Sequence, residues 1–500
     1  MLDKIRSSVK QTFYYGIGNV AVKLVGFILL PLYARQFSIE IYGLLALFEI
    51  LAEIIITLSS FGVESGFNRW YWDDEGKERQ KSLFFTTLIF SLISTTLCLI
   101  LAFVMIHYYS LQIFDVKISL GLTVTYLVNI LFRVVIMRSI LLMQIQQLVV
   151  KQTRYVLLNL GIVLLTTIFF ITQLDMGLEG VFLGQICGNV IVLIFIMPYL
   201  LKEIKFVIEY EIFSKLLKYS FPIAVSSVFA IVMTLSDRFI LKHYYSLADV
   251  GQYSLAYKVS SLIKLFIVRS FLKSYNFKYY SEIEAVKHDR FFDKSITYFT
   301  FIAIYSGLLL SIVSKTVIKF LTDNVDYYNS LYIVPYLVAG IILYGIRSML
   351  NMPMAKMKRT DLIAYIAVGT GILNILLNFL IIPSLGSLGA ALTTAVSQGV
   401  AVIVCLMINK KYGYSNYEVV KYLKAFLIGI GLLYAWLLIP EMNVFLSILV
   451  DLVILLLYPV ILAVIGFFED TELQRIRQSL KKWSKPANIK ALIKKEYGGK

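Results

Sequence analysis

Long apolar runs separated by short polar connections dominate the chain. Ser82 to His107, Tyr155 to Leu174 and Gly180 to Leu201 carry no formal charge, and each reaches or exceeds the ~18 apolar residues that mark a membrane-spanning helix. Reading such runs against their breakers predicts helices over 13–34, 39–61, 82–107, 119–143, 155–174 and 179–201. A second series follows over 218–241, 248–272, 295–321, 331–353, 361–382 and 388–409, and two more over 422–439 and 444–467. The expected fold is therefore an all-α polytopic membrane protein of about fourteen transmembrane helices. An even count puts both termini on one side.

Composition agrees with that pattern. The 500 residues are 59% hydrophobic and 16% charged, against about 25% charged in soluble domains. The formal charge of +16 suggests nucleic acid only until its placement is read. Most of the Lys and Arg lie in the N-terminal tail, the even-numbered connections and the C-terminal tail, whereas the opposite loops hold Arg35, Lys117 and Lys242. Positive flanks stay in the cytoplasm, so both termini are assigned there, and no nucleic-acid partner is expected. The first run contains Lys23, is too long for a cleavable signal and has no clear cleavage site, so it is expected to remain as a helix. The polar, basic tail from Glu469, with Trp483, is compatible with an amphipathic helix on the inner membrane face or with a partly disordered anchor. Cys98, Cys187 and Cys405 sit singly inside apolar runs, and His107, His243 and His288 form no ligand spacing. No disulfide framework, metal or other cofactor is expected.

An internal repeat organises the helices. Arg138-Ser139-Ile140-Leu141-Leu142-Met143 returns as Arg347-Ser348-Met349-Leu350-Asn351-Met352, 209 residues on, with Arg, Ser, Leu and Met in register. Gly177 and Gly180 map onto Gly386 and Gly389 at the same offset, while Ser38 and Gly43 map onto Ser246 and Gly251 at 208. The predicted organisation is an N-terminal lobe over 1–210, a C-terminal lobe over 211–415, two extra helices over 416–468 and the tail 469–500. Six helices per repeat leave two pseudo-symmetric lobes in parallel orientation, with substrate between them, exposed alternately to the two sides.

The stretch from Ser236-Asp237-Arg238 through Gly251-Gln252-Tyr253-Ser254-Leu255-Ala256-Tyr257-Lys258 resembles the helix-seven to helix-eight region of polysaccharide biosynthesis flippases. Pro31-Leu32-Tyr33-Ala34-Arg35 with Tyr42-Gly43 is similar to the same family's opening hairpin. These bacterial proteins belong to the multidrug, oligosaccharidyl-lipid and polysaccharide exporter superfamily. The resemblance implies passage of an undecaprenyl-pyrophosphate-linked oligosaccharide across the cytoplasmic (inner) membrane for O-antigen, capsule or exopolysaccharide synthesis. The implied partners are the lipid-linked oligosaccharide, membrane lipids and other polysaccharide-assembly proteins.

Such a substrate is anionic and highly polar, so charges inside helices are the first candidates for its path. Lys23, at the centre of the first predicted helix, and Lys258, near the middle of the eighth, are the candidate substrate-binding residues. Direct contact and a structural ion pair are both open to them. Lys264 is six residues beyond Lys258, about 240° further round the helix, so the two cannot point along one line. Glu49 and Glu53 share a helix face at about the depth of Lys23, as a structural pair or as groups that exchange a coupling proton. Asp237 and Arg238 are expected to pair with different neighbours, in gating or lobe packing, because adjacent helical residues diverge by about 100°. Arg138 and Arg347 are expected to reach the inner headgroups. Asn19, Gln185, Asn189, Asn374 and Asn378 either bond across helices or line a glycan path.

A cation-coupled small-molecule (multidrug-type) exporter is the alternative function. A membrane oligosaccharide polymerase or glycosyltransferase is a further one, but the chain shows no sizeable catalytic loop. Without a Walker A motif, ATP hydrolysis by the chain is not expected, and the protein is read as no enzyme.

Overall fold

The computed structural model describes residues 26–72, 76–281, 290–322, 324–413, 417–440 and 442–474. Among these the chain is helical, without strands. The helices are α1 (Leu30–Gln36), α2 (Ile39–Ser60), α3 (Val63–Trp70), α4 (Lys77–Phe114), α5 (Leu120–Ile145), α6 (Val149–Thr172) and α7 (Gly177–Lys202). There follow α8 (Tyr210–Tyr244), α9 (Leu247–Ile263), a π segment (Lys264–Val268), α10 (Arg269–Ser281), α11 (Arg290–Leu321), a 3-10 turn (Val325–Asn329) and α12 (Ser330–Leu350). Last come α13 (Met352–Lys356), α14 (Thr360–Lys411), α15 (Val419–Leu437) and α16 (Val444–Val464). Each predicted segment from 39 onward falls on one of these. The first, with Lys23 and Asn19, lies largely outside the described residues, as does the tail with Trp483.

Ten described helices are long and apolar enough to cross a membrane, and the protein is a multi-pass membrane protein. α14 is counted among them once although it runs for 52 residues, because two predicted segments are joined across a kink at Gly386 (φ 54°, ψ −134°). With the first predicted segment largely outside the described residues, and α8 and α9 not among the spans that meet the apolar criterion, the described residues give ten rather than fourteen.

The repeat recurs in local conformation. Ser38 and Ser246 are both N-caps: Ser38 Oγ accepts from Ile41 N at 3.4 Å, and Ser246 forms a reciprocal capping box with Asp249. Gly177 and Gly386 both have positive φ, a backbone region open chiefly to glycine. Gly43 and Gly251 mark the closest approach of α2 to α9. A Cβ on Gly43 would stand 2.0 Å from Leu247 O, and one on Gly251 would stand 2.3 Å from Ile39 O.

α2 packs on α4 and α5, α4 on α5, and α7 on α5 and α6. α12 packs on α9, α11 and α14, and α14 on α8. The two groups meet where α2 crosses α9 and α8, and where α3 lies on α8. α15 and α16 attach to α11. That attachment is reinforced by an ionic cluster. Lys294 Nζ on α11 lies 2.7 Å from Glu469 and 3.1 Å from Glu418, Lys421 lies 2.9 Å from Glu418, and Arg290 also pairs with Glu469. Burial alone pushes the Glu418 carboxyl up, but hydrogen bonds from Lys421, Thr297 and Lys294 outweigh it and hold it below the usual range. The Lys294 hydrogen bond likewise lowers Glu469.

Candidate functional site

A cavity of about 730 Å³ lies between the two groups, walled by α2, α5, α6 and α7 on one side and by α8 and α9 on the other. Its lining runs from Tyr33 and Tyr42 at one end to Ile140, Tyr155 and Ile196, within two turns of the opposite helix ends. The end near Tyr33 is sealed by bonds between the groups. Arg35 donates to Phe320 O at 3.0 Å, Thr322 Oγ1 to Ala34 O at 2.7 Å, and Tyr327 OH to Phe37 O at 3.2 Å. Lys242 pairs with Asp115 at the same end. The sequence places Lys242 in an outward loop, whereas α8 continues through it and leaves its side chain 6% exposed, because the Asp115 carboxylate receives the ammonium.

Charge is concentrated on α2, α5, α8 and α9, at the cavity wall. Lys258 on α9 points into it, with Nζ 6.0 Å from the centroid of the Tyr42 ring. Glu49, on α2 like Tyr42, lines the same cavity. Lys258 also reaches the opening segment: a Cβ on Gly26 would meet Lys258 Cε at 3.3 Å. Glu53, one turn beyond Glu49, is ion-paired with Arg133 on α5, and both remain partly exposed to the cavity. The paired partner of Glu53 is thus Arg133, while Lys23 lies outside the described residues. Arg133 is a cavity cation that the sequence reading did not single out. The same rule that selects Lys258, a charge inside an apolar run, would have found it.

Asp237 and Arg238 correct an expectation. They pair with one another: Arg238 NH1 lies 3.1 Å from Asp237 Oδ1, which also accepts from the Arg238 backbone N at 2.9 Å. Divergence of Cβ directions by 100° does not prevent this, because the long arginine side chain folds back where burial leaves no water to solvate either charge. Tyr253 OH completes the group by donating to Asp237 Oδ2. The guanidinium lies over the Tyr253 and Tyr257 rings, at 5.1 Å and 4.3 Å from the centroids. Arg238 faces the large cavity.

The cavity's other polar strip is made of amides. Asn129 Nδ2 donates to Gln185 Oε1 at 2.7 Å, Asn159 Nδ2 to Asn189 Oδ1 at 3.0 Å, and Asn189 Nδ2 to Asn129 Oδ1 at 3.4 Å. Gln185 and Asn189 therefore both bond across helices and line the cavity. Asn374 and Asn378 belong to a second network, in which Asn374 donates to Ser397 Oγ at 3.3 Å and Thr393 donates to Asn378.

Arg138 does not reach for headgroups. Its side chain is 5% exposed and NH1 is 2.7 Å from Glu64 Oε1 on α3, so a carboxylate that the sequence reading passed over neutralises it within the protein. Arg347 also turns inward, onto Tyr344, in a smaller cavity of about 230 Å³ lined from α8, α9, the π segment, α12 and α14. Lys264 lines that smaller cavity and Lys258 the larger one, as their angular separation on the helix requires.

Solved structures with this fold are a lipid II flippase, MurJ, in an inward closed conformation, and an inward-facing multidrug resistance transporter of the MATE family. The first is 18% identical, covers 89% of this chain and 98% of its own, and superposes with a TM-score of 0.72. The second is 15% identical, with 80% and 94% covered and a TM-score of 0.63. A transporter of the same superfamily from Pyrococcus furiosus is 14% identical over 81% of this chain and 94% of its own, with a TM-score of 0.59. These likenesses describe the fold. A search of curated proteins returned no match. The sequence profile of the family described as polysaccharide biosynthesis protein matches residues 8–273, which hold the helices of the first group together with Asp237, Arg238 and Lys258. The chain belongs to that family.

Proposed function

We propose that the protein carries an undecaprenyl-pyrophosphate-linked oligosaccharide across the bacterial cytoplasmic membrane by alternating access, in the synthesis of a surface polysaccharide. The observation that carries the reading is the large cavity between the helix groups, where Lys258, Arg238 and Arg133 stand beside a strip of bonded amides. Cations fixed at membrane depth offset the cost of bringing a pyrophosphate out of water, and amides replace water around a glycan. Lys23 is proposed to add a further cation to this wall. Glu49 and Glu53 are proposed to hold Lys258 and Arg133 when the cavity carries no substrate, and to release them as the anion enters. The seal at Arg35, Thr322, Tyr327 and Lys242 is read as the extracytoplasmic end, closed while the cavity serves the cytoplasmic side.

The fold shared with multidrug transporters, and carboxylates in the wall, also support a cation-coupled small-molecule exporter. One assay separates the two. A strain deleted for the gene is complemented with the native chain, Lys258→Ala or Lys23→Ala, and lipid-linked oligosaccharide in the inner leaflet is measured. Accumulation on deletion, relieved by the native chain and not by Lys258→Ala at equal protein level, is the expected result. If no intermediate accumulates on deletion, the exporter reading replaces it.

A further inference from the structure

We infer that the smaller cavity, lined from α8, α9, the π segment, α12 and α14, is an oxyanion site in which Lys264 and Arg347 hold a phosphate-type group. The inference stands apart from the proposed transport activity, since the cavity belongs to the second helix group and shares only Tyr257 with the lining of the larger one.

Two cations converge there. Lys264 Nζ lies 4.8 Å and Arg347 Cζ 5.3 Å from the centroid of one ring, that of Tyr344. Neither has a carboxylate partner among the described residues, although an unpaired cation at membrane depth is costly. Asp237 also borders the cavity, with its charge paired to Arg238 through Oδ1 and its Oδ2 accepting from Tyr253. The repeat sharpens the point. Arg138, the first-group equivalent of Arg347, is neutralised by Glu64, whereas 209 residues beyond Glu64 stands Lys273, a cation in place of the acid.

Two buried polar atoms in the lining also lack partners. Arg347 Nε is a donor and Gln398 Oε1 an acceptor, and neither is bonded. A buried polar group left unbonded is destabilising. The planar guanidinium matches an oxyanion through paired N–H groups, which a spherical halide does not use. The volume of about 230 Å³ accommodates a tetrahedral oxyanion with water, given ~30 Å³ per water molecule. Lys264 opens the π segment of Lys264–Val268, directly at the end of α9.

The chemistry fits two sources, free inorganic phosphate and the phosphodiester of an anionic lipid headgroup. Equilibrium binding of radiolabelled phosphate to the purified full-length protein in a neutral detergent tests the first. Competition by added phosphatidylglycerol, with phosphatidylcholine as control, tests the second. The expected result is saturable binding of about one phosphate per chain, weakened at least tenfold in both Arg347→Gln and Lys264→Gln and retained in Lys258→Gln. If only phosphatidylglycerol occupies the site, binding of a fluorescent phosphatidylglycerol falls tenfold in the same two variants, and the source is the headgroup. The inference is overturned if neither probe binds saturably, if both variants bind like the native chain, or if Lys258→Gln alone abolishes binding. Two variants on different helices guard against misfolding of either one.

Discussion

The two helix groups place an arginine at the same point of the repeat and surround it differently. Arg138 is neutralised by Glu64 on α3, while Arg347 rests on an aromatic ring with Lys264 beside it and forms no ion pair among the described residues. The backbones around them correspond: serine caps at 38 and 246, positive-φ glycines at 177 and 386. A duplicated scaffold can thus keep its turns and caps while its charges diverge. Turns are dictated by local sterics, which duplication preserves. A charge answers to whatever stands across the helix interface, and that changes with single substitutions.

The comparison is most directly broken by deleting the acid on one side and the base on the other. Glu64→Ala leaves the buried Arg138 guanidinium uncompensated and is expected to cost about 3 kcal/mol, the low end for a broken buried pair because Glu64 is itself partly exposed. Arg347→Ala removes a cation that has no carboxylate and is expected to cost less than about 1 kcal/mol. Thermal unfolding of the purified variants in one detergent ranks them. Equal losses would show that Arg347 has an acidic partner after all.

A smaller effect separates the repeat glycines. Alanine at either position accepts a strained backbone, about 1–2 kcal/mol. At Gly386 the added methyl also meets the Tyr245 ring at 3.3 Å, while at Gly177 nothing lies within 4 Å. Gly386→Ala should therefore lower the unfolding temperature more than Gly177→Ala, and the reverse order would mean that the turn at 177 is the more constrained.

The smallest effect concerns how each group is tied at its ends. At the start of α4 the contacts are loose, Glu78 being 3.9 Å from Lys81 and 3.3 Å from Lys205 and largely exposed, whereas the start of α11 holds the dense cluster around Lys294. The Glu418 and Glu469 carboxyls are held below their usual range, so their contribution is complete above the ordinary carboxylate value of about 4.3 and is lost as pH falls through the lowered ones. Acidification should accelerate hydrogen exchange in 469–474, after correction for intrinsic pH dependence, and leave 77–81 unchanged. Protection at 469–474 that increases as pH falls below about 4.3 would refute the sign of that linkage.

Much of this was legible in the sequence. Apolar run length located the helices because lipid requires each segment to satisfy its own backbone bonds. The repeat offset picked out positions that the structure shows to be caps and positive-φ glycines, roles that depend on residues near in sequence. Lys258 was legible as a charge in an apolar run. Partners were not. Glu53 meets Arg133 across 80 residues and Lys242 meets Asp115 across 127. Nothing in the local pattern encodes which helices lie side by side. For the same reason Arg138 read as a headgroup anchor: its depth was visible, but the carboxylate on α3 was not.

The contact of Gly43 with α9 and of Gly251 with α2 has a practical corollary for anyone watching this molecule work. Main chain approaches main chain there, with neither glycine contributing a side chain that could slide or repack. If the two groups rock as proposed, this crossing is the expected fulcrum, where displacement would be least. Spin labels or fluorophores placed beside residues 43 and 251 would report a nearly silent joint, whereas a pair near Arg35 and Phe320, at the seal, would record the full swing.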